Sequence, residues 1–354
     1  MATAVPTLAG ALLVIVGGAR LFTNGVEWIG KNLGLGEGAV GSVLAAIGTA
    51  TPESMVPIIA ILFGASHHST EVGVGAILGA PFLLATLGFF LNGMAVTYYH
   101  WRGRRRRTVN PDRRVVQRDL RFFLFVYALA ISAAFIPLYI GKVLVSITLL
   151  TAYALFVRAA LVPQKEPALA VAAADEQVPH AAMHGGDMDP LLVVQMLRLP
   201  VSPGIWLSVG QALVGLGLIV LGAKYFADTI AELSLALGIS AFILSVLITP
   251  AATELPEVFN SVLWMGMRKD TLAIGNVTGA MVFQSSVVPV VGILLTPWRL
   301  DALHLGSAIL AYLAILYTYA IFRWRKTVSA GFLFVNGSFY AVYLYLVMGG
   351  IFSF

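Results

Sequence analysis

The chain has 354 residues, of which 59% are hydrophobic and only 11% are charged, and its mean hydropathy is +0.88. A soluble domain carries about 25% charged residues, so the composition excludes a soluble globular protein and indicates one that crosses a membrane repeatedly. The net charge is +5, and the chain contains no cysteine, which excludes disulfides and thiolate metal sites.

Ten segments are long and apolar enough to cross a bilayer, for which about 20 apolar residues suffice. In chain order they cover residues 5–28, 38–64, 71–99, 119–137, 140–161, 203–230, 238–265, 271–296, 302–323 and 328–353. No basic residues precede the first segment, so we expect a retained helix and not a cleaved signal. The sequence therefore predicts an all-α membrane protein with ten transmembrane helices.

The basic residues predict the orientation of the chain. Residues 102–121 hold nine arginines. Such a run can bind nucleic acid, but in a loop between membrane spans it is typical of the cytoplasmic side. The same parity places Arg268, Lys269 and Arg323 inside. We therefore expect a protein of the plasma membrane with both termini outside, whose partners are the lipid bilayer and inorganic cations and not nucleic acid. No pattern indicates an oligomeric state.

A polar stretch divides the chain into two halves. Residues 162–202 are dominated by Pro, Ala, Gln, Asp and His, which is typical of a flexible linker, here expected in the cytoplasm. Four of its residues could hold a metal, although solvated side chains fit their spacing better; they are His180, His184, Asp187 and Asp189. The halves cover residues 1–161 and 203–354, each with five predicted spans.

The two halves resemble each other in sequence. A shift of 204 residues superimposes the Pro-Glu pair at 52–53 on the pair at 256–257, and a shift of 200 superimposes residues 74–80 on residues 274–280. Because each half has an odd number of spans, the halves enter the membrane in opposite senses. Such inverted repeats are the architecture of many secondary transporters, which bind substrate near the midplane where interrupted helices meet.

Each Pro-Glu pair lies in the middle of an apolar segment, where a carboxylate is costly and therefore indicates a functional site. Residues 48–53 read Gly-Thr-Ala-Thr-Pro-Glu, and residues 252–257 read Ala-Thr-Glu-Leu-Pro-Glu. Proline has no N–H, so it frees the carbonyl four residues earlier, while the Thr and Glu four residues apart share a helix face. Hard cations prefer such oxygen ligands. The predicted ligands are Gly48, Thr49, Glu53, Ala252, Thr253 and Glu257.

With these motifs the sequence resembles the calcium/cation antiporter superfamily, the sodium/calcium exchangers in particular. That family carries G-T-S-x-P-E followed by G-N-x-x-G-S-x-x-x-N/D in each of two repeats, and the second motif corresponds here to residues 75–84 and 275–284. The resemblance implies ten spans around a cytoplasmic loop. It also implies that Glu53 and Glu257 are the central calcium-binding carboxylates and that the threonines four residues before them supply oxygen ligands.

The sequence departs from the family pattern at several ligand positions. The family's serine, asparagine or aspartate is replaced at Ala50, Ala80, Leu84, Glu254, Ala280 and Gln284. The lost hydroxyls leave few ligands for sodium, whereas Glu254 adds a carboxylate. Three ionised carboxylates in one cavity would repel one another, so an empty site is expected to hold a proton. These departures favour protons as counter-ions, wholly or partly.

Two of the candidate ligands have an alternative role. Glu254 could instead form a structural ion pair with Arg20 or Lys224. Asn276 could offer an amide oxygen to a cation or form a hydrogen bond between helices. Gln284 stands at a ligand position of the family and is retained as a candidate ligand.

The function that the sequence predicts is secondary active antiport. Ca²⁺ or a related cation would exchange against Na⁺ and/or H⁺ by alternating access. The alternatives are a monovalent cation/proton antiporter on the same fold and a membrane scaffold or sensor that transports nothing. The sequence has no Ser/His/Asp set, zinc motif or phosphate loop, so we expect neither an enzyme nor a bound cofactor.

Overall fold

The computed structural model describes residues 4–33, 45–64, 67–161, 190–197, 204–325 and 327–349, apart from the side chains at 45–52, 67, 161, 196–197 and 255–256. In the first half the helices are α1 (Ala4–Asn32), α2 (Ala45–Phe63), α3 (His67–Leu83), α4 (Phe89–Trp101), α5 (Arg113–Ser132) and α6 (Tyr139–Leu161). Then follow α7 (Leu192–Leu197), α8 (Ile205–Leu237), α9 (Ala241–Gly266), α10 (Asp270–Ser286), α11 (Val288–Leu295), α12 (Ala302–Trp324) and α13 (Ala330–Met348).

A helix lies within each of the ten predicted segments. By length and hydropathy, seven helices in the described ranges could cross a membrane, or eight when the two bent parts of α9 are taken as one span. Helix α5 is not among them and begins with several charged residues. In α2, the part Glu53–Phe63 is an apolar helix that is too short to be counted as a span. A polytopic helical membrane protein is therefore confirmed, while the ten-span count and the inverted repeat stay predictions.

Two of the long segments are interrupted. A π-helical turn, Leu84–Gly88, joins α3 to α4, and α10 passes into α11 at Val287 with Pro289 in the first turn of the new helix. Single π turns inside helices occur frequently at functional sites, and a proline removes one backbone donor. The sequence predicted interruption at the Pro-Glu motifs, but not these two additional breaks.

Helices α1 and α8 pack through their backbones. A Cβ added to Gly18 would lie 2.8 Å from the carbonyl oxygen of Gly215, and one added to Gly222 would lie 3.0 Å from the carbonyl oxygen of Ala11. Any side chain larger than hydrogen would force the two helices apart, so these glycines set the separation of α1 and α8. The two helices are the predicted first spans of the two halves.

The segment 190–197 lies at the end of the predicted linker. It contains helix α7, whose first two backbone N–H groups donate to side chains of other helices. Leu192 N donates to Asn24 Oδ1 on α1, and Val193 N donates to Gln211 Oε1 on α8. The end of the predicted linker is therefore docked against the α1–α8 pair. The proposed histidine and aspartate metal ligands at 180–189 lie outside the described residues.

A network of polar contacts closes the end of the bundle that carries the arginine-rich loop. Strand β1 (Thr108–Val109) pairs antiparallel with β2 (Val328–Ser329), which is a small departure from an all-α fold. Arg105 is only 8% exposed and binds Asp270 at 2.9 Å, and it also donates to the carbonyl oxygen of Met265 at 2.6 Å. The arginine run is thus not entirely a solvated loop, because Arg105 connects the two halves.

Candidate cation site

Three helices bring buried polar side chains together between the two halves. Glu53 on α2, Glu254 on α9 and Gln284 on α10 are 9%, 0% and 1% exposed. Gln284 Nε2 lies 2.8 Å from Glu53 Oε2 and 2.9 Å from Glu254 Oε2, so the amide donates a hydrogen bond to each carboxyl group. The neutral amide of Gln284 therefore bridges Glu53 of the first half and Glu254 of the second.

The carboxyl groups of Glu53 and Glu254 are therefore close neighbours, because the same amide nitrogen binds both. Two ionised carboxylates this close repel each other, which favours a proton or a cation between them.

Helix α9 changes direction beside this pair. Its two parts, Ala241–Glu254 and Glu257–Gly266, meet at an angle of 51°. A proline removes one backbone donor from a helix, and Pro256 lies between the two parts in the sequence. This is the interruption that the Pro-Glu motif predicted in the second half.

The threonine next to the pair points toward it. Thr253 Oγ1 approaches Glu254 Oε1 at 3.4 Å and donates to the carbonyl oxygen of Thr249 at 3.3 Å. Ala252 packs against the smaller of the two hydrophobic clusters. Gly48 lies in α2 next to the undescribed side chain of Thr49. Their predicted roles as ligands therefore stay predictions.

Glu257 and Asn276 form a second contact between α9 and α10. Asn276 Nδ2 donates to the backbone oxygen of Glu257 at 2.9 Å and to Ser261 Oγ at 3.1 Å. Of the two roles considered for Asn276, the structure thus has the hydrogen bond between helices. The Glu257 side chain is half-buried and interacts electrostatically with both Glu53 and Glu254.

The three glutamates do not form a ready-made metal cluster. Within the described ranges, no group of three or more His, Cys, Asp or Glu side chains is arranged to hold a metal ion. Glu53 and Glu254 are bridged by Gln284, and Glu257 interacts electrostatically with both, so the predicted convergence of the three carboxylates on one cation stays a prediction. The ion-pair alternative for Glu254 is wrong, because Glu254 is fully buried whereas Arg20 and Lys224 are exposed.

The sequence interpretation missed one buried carboxylate, Asp119. It lies on α5, is 3% exposed, and accepts a hydrogen bond from Thr278 Oγ1 on α10 at 2.9 Å and another from Arg118. A carboxylate at the edge of a predicted span is itself a signal of function, and it could have drawn attention to this position. Asp119 and Thr278 fix α10 on the side opposite α9.

Buried acids within membrane spans mark ion and proton pathways. Long apolar helices packed around a buried carboxyl pair are therefore typical of membrane proteins that transport ions. The chain belongs to the sodium/calcium exchanger protein family, whose model matches residues 3–162 and 207–349. The resemblance to the calcium/cation antiporters is thus confirmed, and with it the assignment to secondary transporters and not to enzymes.

Three similar proteins illustrate this membership. The inner membrane protein YrbG of Escherichia coli (strain K12) is 26% identical over 331 residues, which is 92% of this chain and 89% of that protein. The H⁺/Ca²⁺ exchanger CAX superimposes with a TM-score of 0.65 at 16% identity, covering 99% of this chain and 88% of CAX. The sodium-calcium exchanger NCX_Mj has a TM-score of 0.54 at 17% identity, covering 96% and 97%.

Proposed function

We propose that this protein is a secondary active antiporter that exchanges Ca²⁺ or a related cation against protons, wholly or partly. The observation that carries the proposal is the buried contact of Glu53, from the first half, with Glu254 and Gln284, from the second. A cation held between these oxygens would bind both halves at once. Relative motion of the halves then exposes the cation to one side of the membrane or the other, which is alternating access.

The proposed site extends beyond the three residues in contact. Glu257 interacts with both buried carboxyls, and Thr253 lies beside Glu254. Together they offer the carboxylate and hydroxyl oxygens that hard cations prefer. The remaining ligands would be the backbone oxygens of the two interrupted motifs and the side chain of Thr49. The full proposed set is Gly48, Thr49, Glu53, Ala252, Thr253, Glu254, Glu257 and Gln284, with Asn276 as a support between helices.

Protons are favoured over sodium as the counter-ion for two reasons. Two buried carboxyl groups bound to one amide nitrogen repel each other when both are ionised, which favours a proton on one of them, and a divalent cation that takes the same oxygens must displace it. In addition, Ala80, Leu84 and Ala280 stand where hydroxyl or amide ligands for sodium would be needed. CAX, whose structure superimposes on this chain, is an H⁺/Ca²⁺ exchanger, in line with this proposal.

A monovalent cation/proton antiporter is the second candidate. It is favoured by the buried pair of Glu53 and Glu254, which a single neutral amide bridges. With one of these two acids protonated, the pair carries one negative charge, which a monovalent cation can balance. Competition between Ca²⁺, Na⁺ and K⁺ for transport separates the two candidates.

The orientation proposed for the chain follows from its basic loops. Arg268 donates to the carbonyl oxygen of Arg104, and Arg113 donates to that of Arg323, so the basic segments meet at one end of the bundle. The positive-inside bias assigns this end to the cytoplasm, with residues 162–202 on the same side and both termini outside. Residues 1–161 and 203–354 would then be the two inverted repeats.

Transport by the purified protein in liposomes tests the proposed function. We expect Ca²⁺ uptake to follow an imposed pH gradient without sodium, and we expect Glu53→Gln and Glu257→Gln to abolish exchange. Glu232→Gln, on the exposed face of α8, is the matched control and should transport normally. Ca²⁺ flux that requires sodium and ignores pH would refute the proton assignment, and undiminished transport in both site variants would refute the site.

A further inference from the structure

Only one of the two polar atoms of the Gln284 amide forms hydrogen bonds in the described structure. Both of its described hydrogen bonds come from Nε2, one to each carboxyl group of the pair. Its Oε1 is completely buried and has no hydrogen-bond partner among the residues whose side chains the structure describes. Buried polar atoms are nearly always paired, so an unpaired amide oxygen beside two carboxyls calls for an explanation.

We propose that the Gln284 amide is the internal occupant of the empty cation site and that its Oε1 becomes a ligand when the cation enters. The inference rests on the proposed function and assigns the residue that determines cation affinity at that site. In the empty state the two N–H groups take the place of a bridging cation and hold Glu53 and Glu254 together. Gln284 is thus a competitor of the ion as well as one of its ligands.

A single side-chain rotation connects the two roles. A cation needs the carboxyl oxygens that Nε2 now binds, and the N–H groups would point their partial positive charge at it. The terminal torsion of glutamine is broad and roughly two-fold, so a half turn exchanges Nε2 for Oε1 with little rearrangement of the chain. After that turn the unpaired oxygen faces the ion, and carbonyl-type oxygen is a good ligand for a hard cation.

This competition makes a prediction about cation affinity. The bound cation must replace two hydrogen bonds to carboxyl groups, so part of its binding free energy offsets their loss. A carboxylate at position 284 would remove the competing donors and add a charged ligand. An apolar side chain of similar size would remove both the donors and the ligand oxygen.

The experiment compares Gln284→Glu and Gln284→Leu with the unaltered protein in detergent, using CaCl₂ as the probe. We expect Gln284→Glu to bind Ca²⁺ about tenfold more tightly or better and to exchange it more slowly, and Gln284→Leu to bind it about tenfold more weakly. Melting temperatures are measured without and with saturating Ca²⁺. The ion-free form of Gln284→Glu should melt below the unaltered protein, and Ca²⁺ should restore its stability.

Ser285→Ala is the matched control, because Ser285 is equally buried on the same turn of α10 and bonds only its own helix in the described structure. It should leave both the affinity and the ion dependence of melting unchanged. If Gln284 only packs against its neighbours, replacing it would lower the melting temperature equally with and without Ca²⁺, and that result overturns the proposal. If Gln284→Leu fails to fold, Gln284→Asn, whose amide is too short to reach both carboxyls, takes its place and should likewise bind Ca²⁺ more weakly than the unaltered protein. Absence of Ca²⁺ binding by the unaltered protein would instead refute the proposed function.

Discussion

The third membrane segment of each half carries the same Gly-x-x-x-Gly spacing, but the two glycine faces lie in different surroundings. In α3 a Cβ added to Gly79 would lie 2.8 Å from the carbonyl oxygen of Val246, and one added to Gly75 would lie 2.7 Å from a side chain of α9. In α10, Cβ atoms at Gly275 and Gly279 would meet nothing within 4 Å in the part of the chain that the structure describes.

The two glycine faces are therefore used differently. The glycine face of α3 packs closely against α9, where Ser245 Oγ also donates to the carbonyl oxygen of Val72. The glycine face of α10 is open, and this helix is held by buried apolar residues and by polar contacts at Asp270, Asn276 and Thr278. Under the proposed alternating access between the predicted inverted repeats, one half would adopt in one state the environment that the other adopts in the opposite state. A tight face in one half and an open face in the other are what that mechanism expects.

The largest effect is expected at the ion pair that ties α10 to the first half. Arg105→Ala leaves the Asp270 carboxylate, whose side chain is only 12% exposed, without its cation. Breaking a buried pair in this way costs about 3–5 kcal/mol, which thermal melting of the purified protein measures. Arg106→Ala, one residue away and exposed, should change stability by less than about 0.5 kcal/mol. Equal effects of the two variants would show that the pair does not hold α10.

A smaller effect should separate the two glycine faces. Gly79→Ala places a methyl group against the backbone of α9, and overpacking of this kind costs about 1–3 kcal/mol. Gly279→Ala meets open space and gains helix propensity, so it should be neutral or stabilising by up to about 1 kcal/mol. Melting temperatures of the two variants, measured under the same conditions, check the difference. A loss in both would mean that the second face is also packed.

Much of the fold could be predicted because each feature has a local cause. Hydropathy predicted the positions of the helices, and the second Pro-Glu motif predicted the bend of α9. The contacts between helices could not be predicted in the same way, because they depend on which faces meet after folding. The docking of α7 on Asn24 and Gln211 is one example. The burial of Arg105 within an arginine-rich loop is another, because nothing local distinguishes it from its exposed neighbours.

The site illustrates the same limit. The sequence placed Glu53, Glu254 and Gln284 among its candidate residues, and the structure brings these three into contact. It did not predict the arrangement, because hydrogen bonding between a neutral amide and two acids depends on three separate helices. The predicted equivalence of Glu53 and Glu257 follows from the repeat, whereas Glu254 has no acidic counterpart, because Ala50 stands at the equivalent position of the first half.

The smallest effect concerns a feature that the halves share. Helices α5 and α12 both begin with an aspartate cap, in which Asp112 accepts from Arg114 N and Asp301 accepts from the backbone N–H groups of Leu303 and His304. Replacing either aspartate by alanine should cost about 1 kcal/mol near neutral pH. Equal losses would identify the caps as a symmetric element of the two halves.

The pH dependence of this effect can be predicted for Asp301. Partial burial acts to raise the pKa of Asp301, but hydrogen bonds and the charge from His304, with the two backbone donors, outweigh it and lower that pKa below its usual 3.8. The folded state thus favours the ionised acid, so its stabilisation is complete above the unfolded pKa and disappears as the pH falls through the lower folded value. The difference in melting temperature between the unaltered protein and Asp301→Ala should therefore persist from neutral pH down to about pH 4 and shrink below it. A difference that stays constant to lower pH would show that the cap acts through packing and not through its charge.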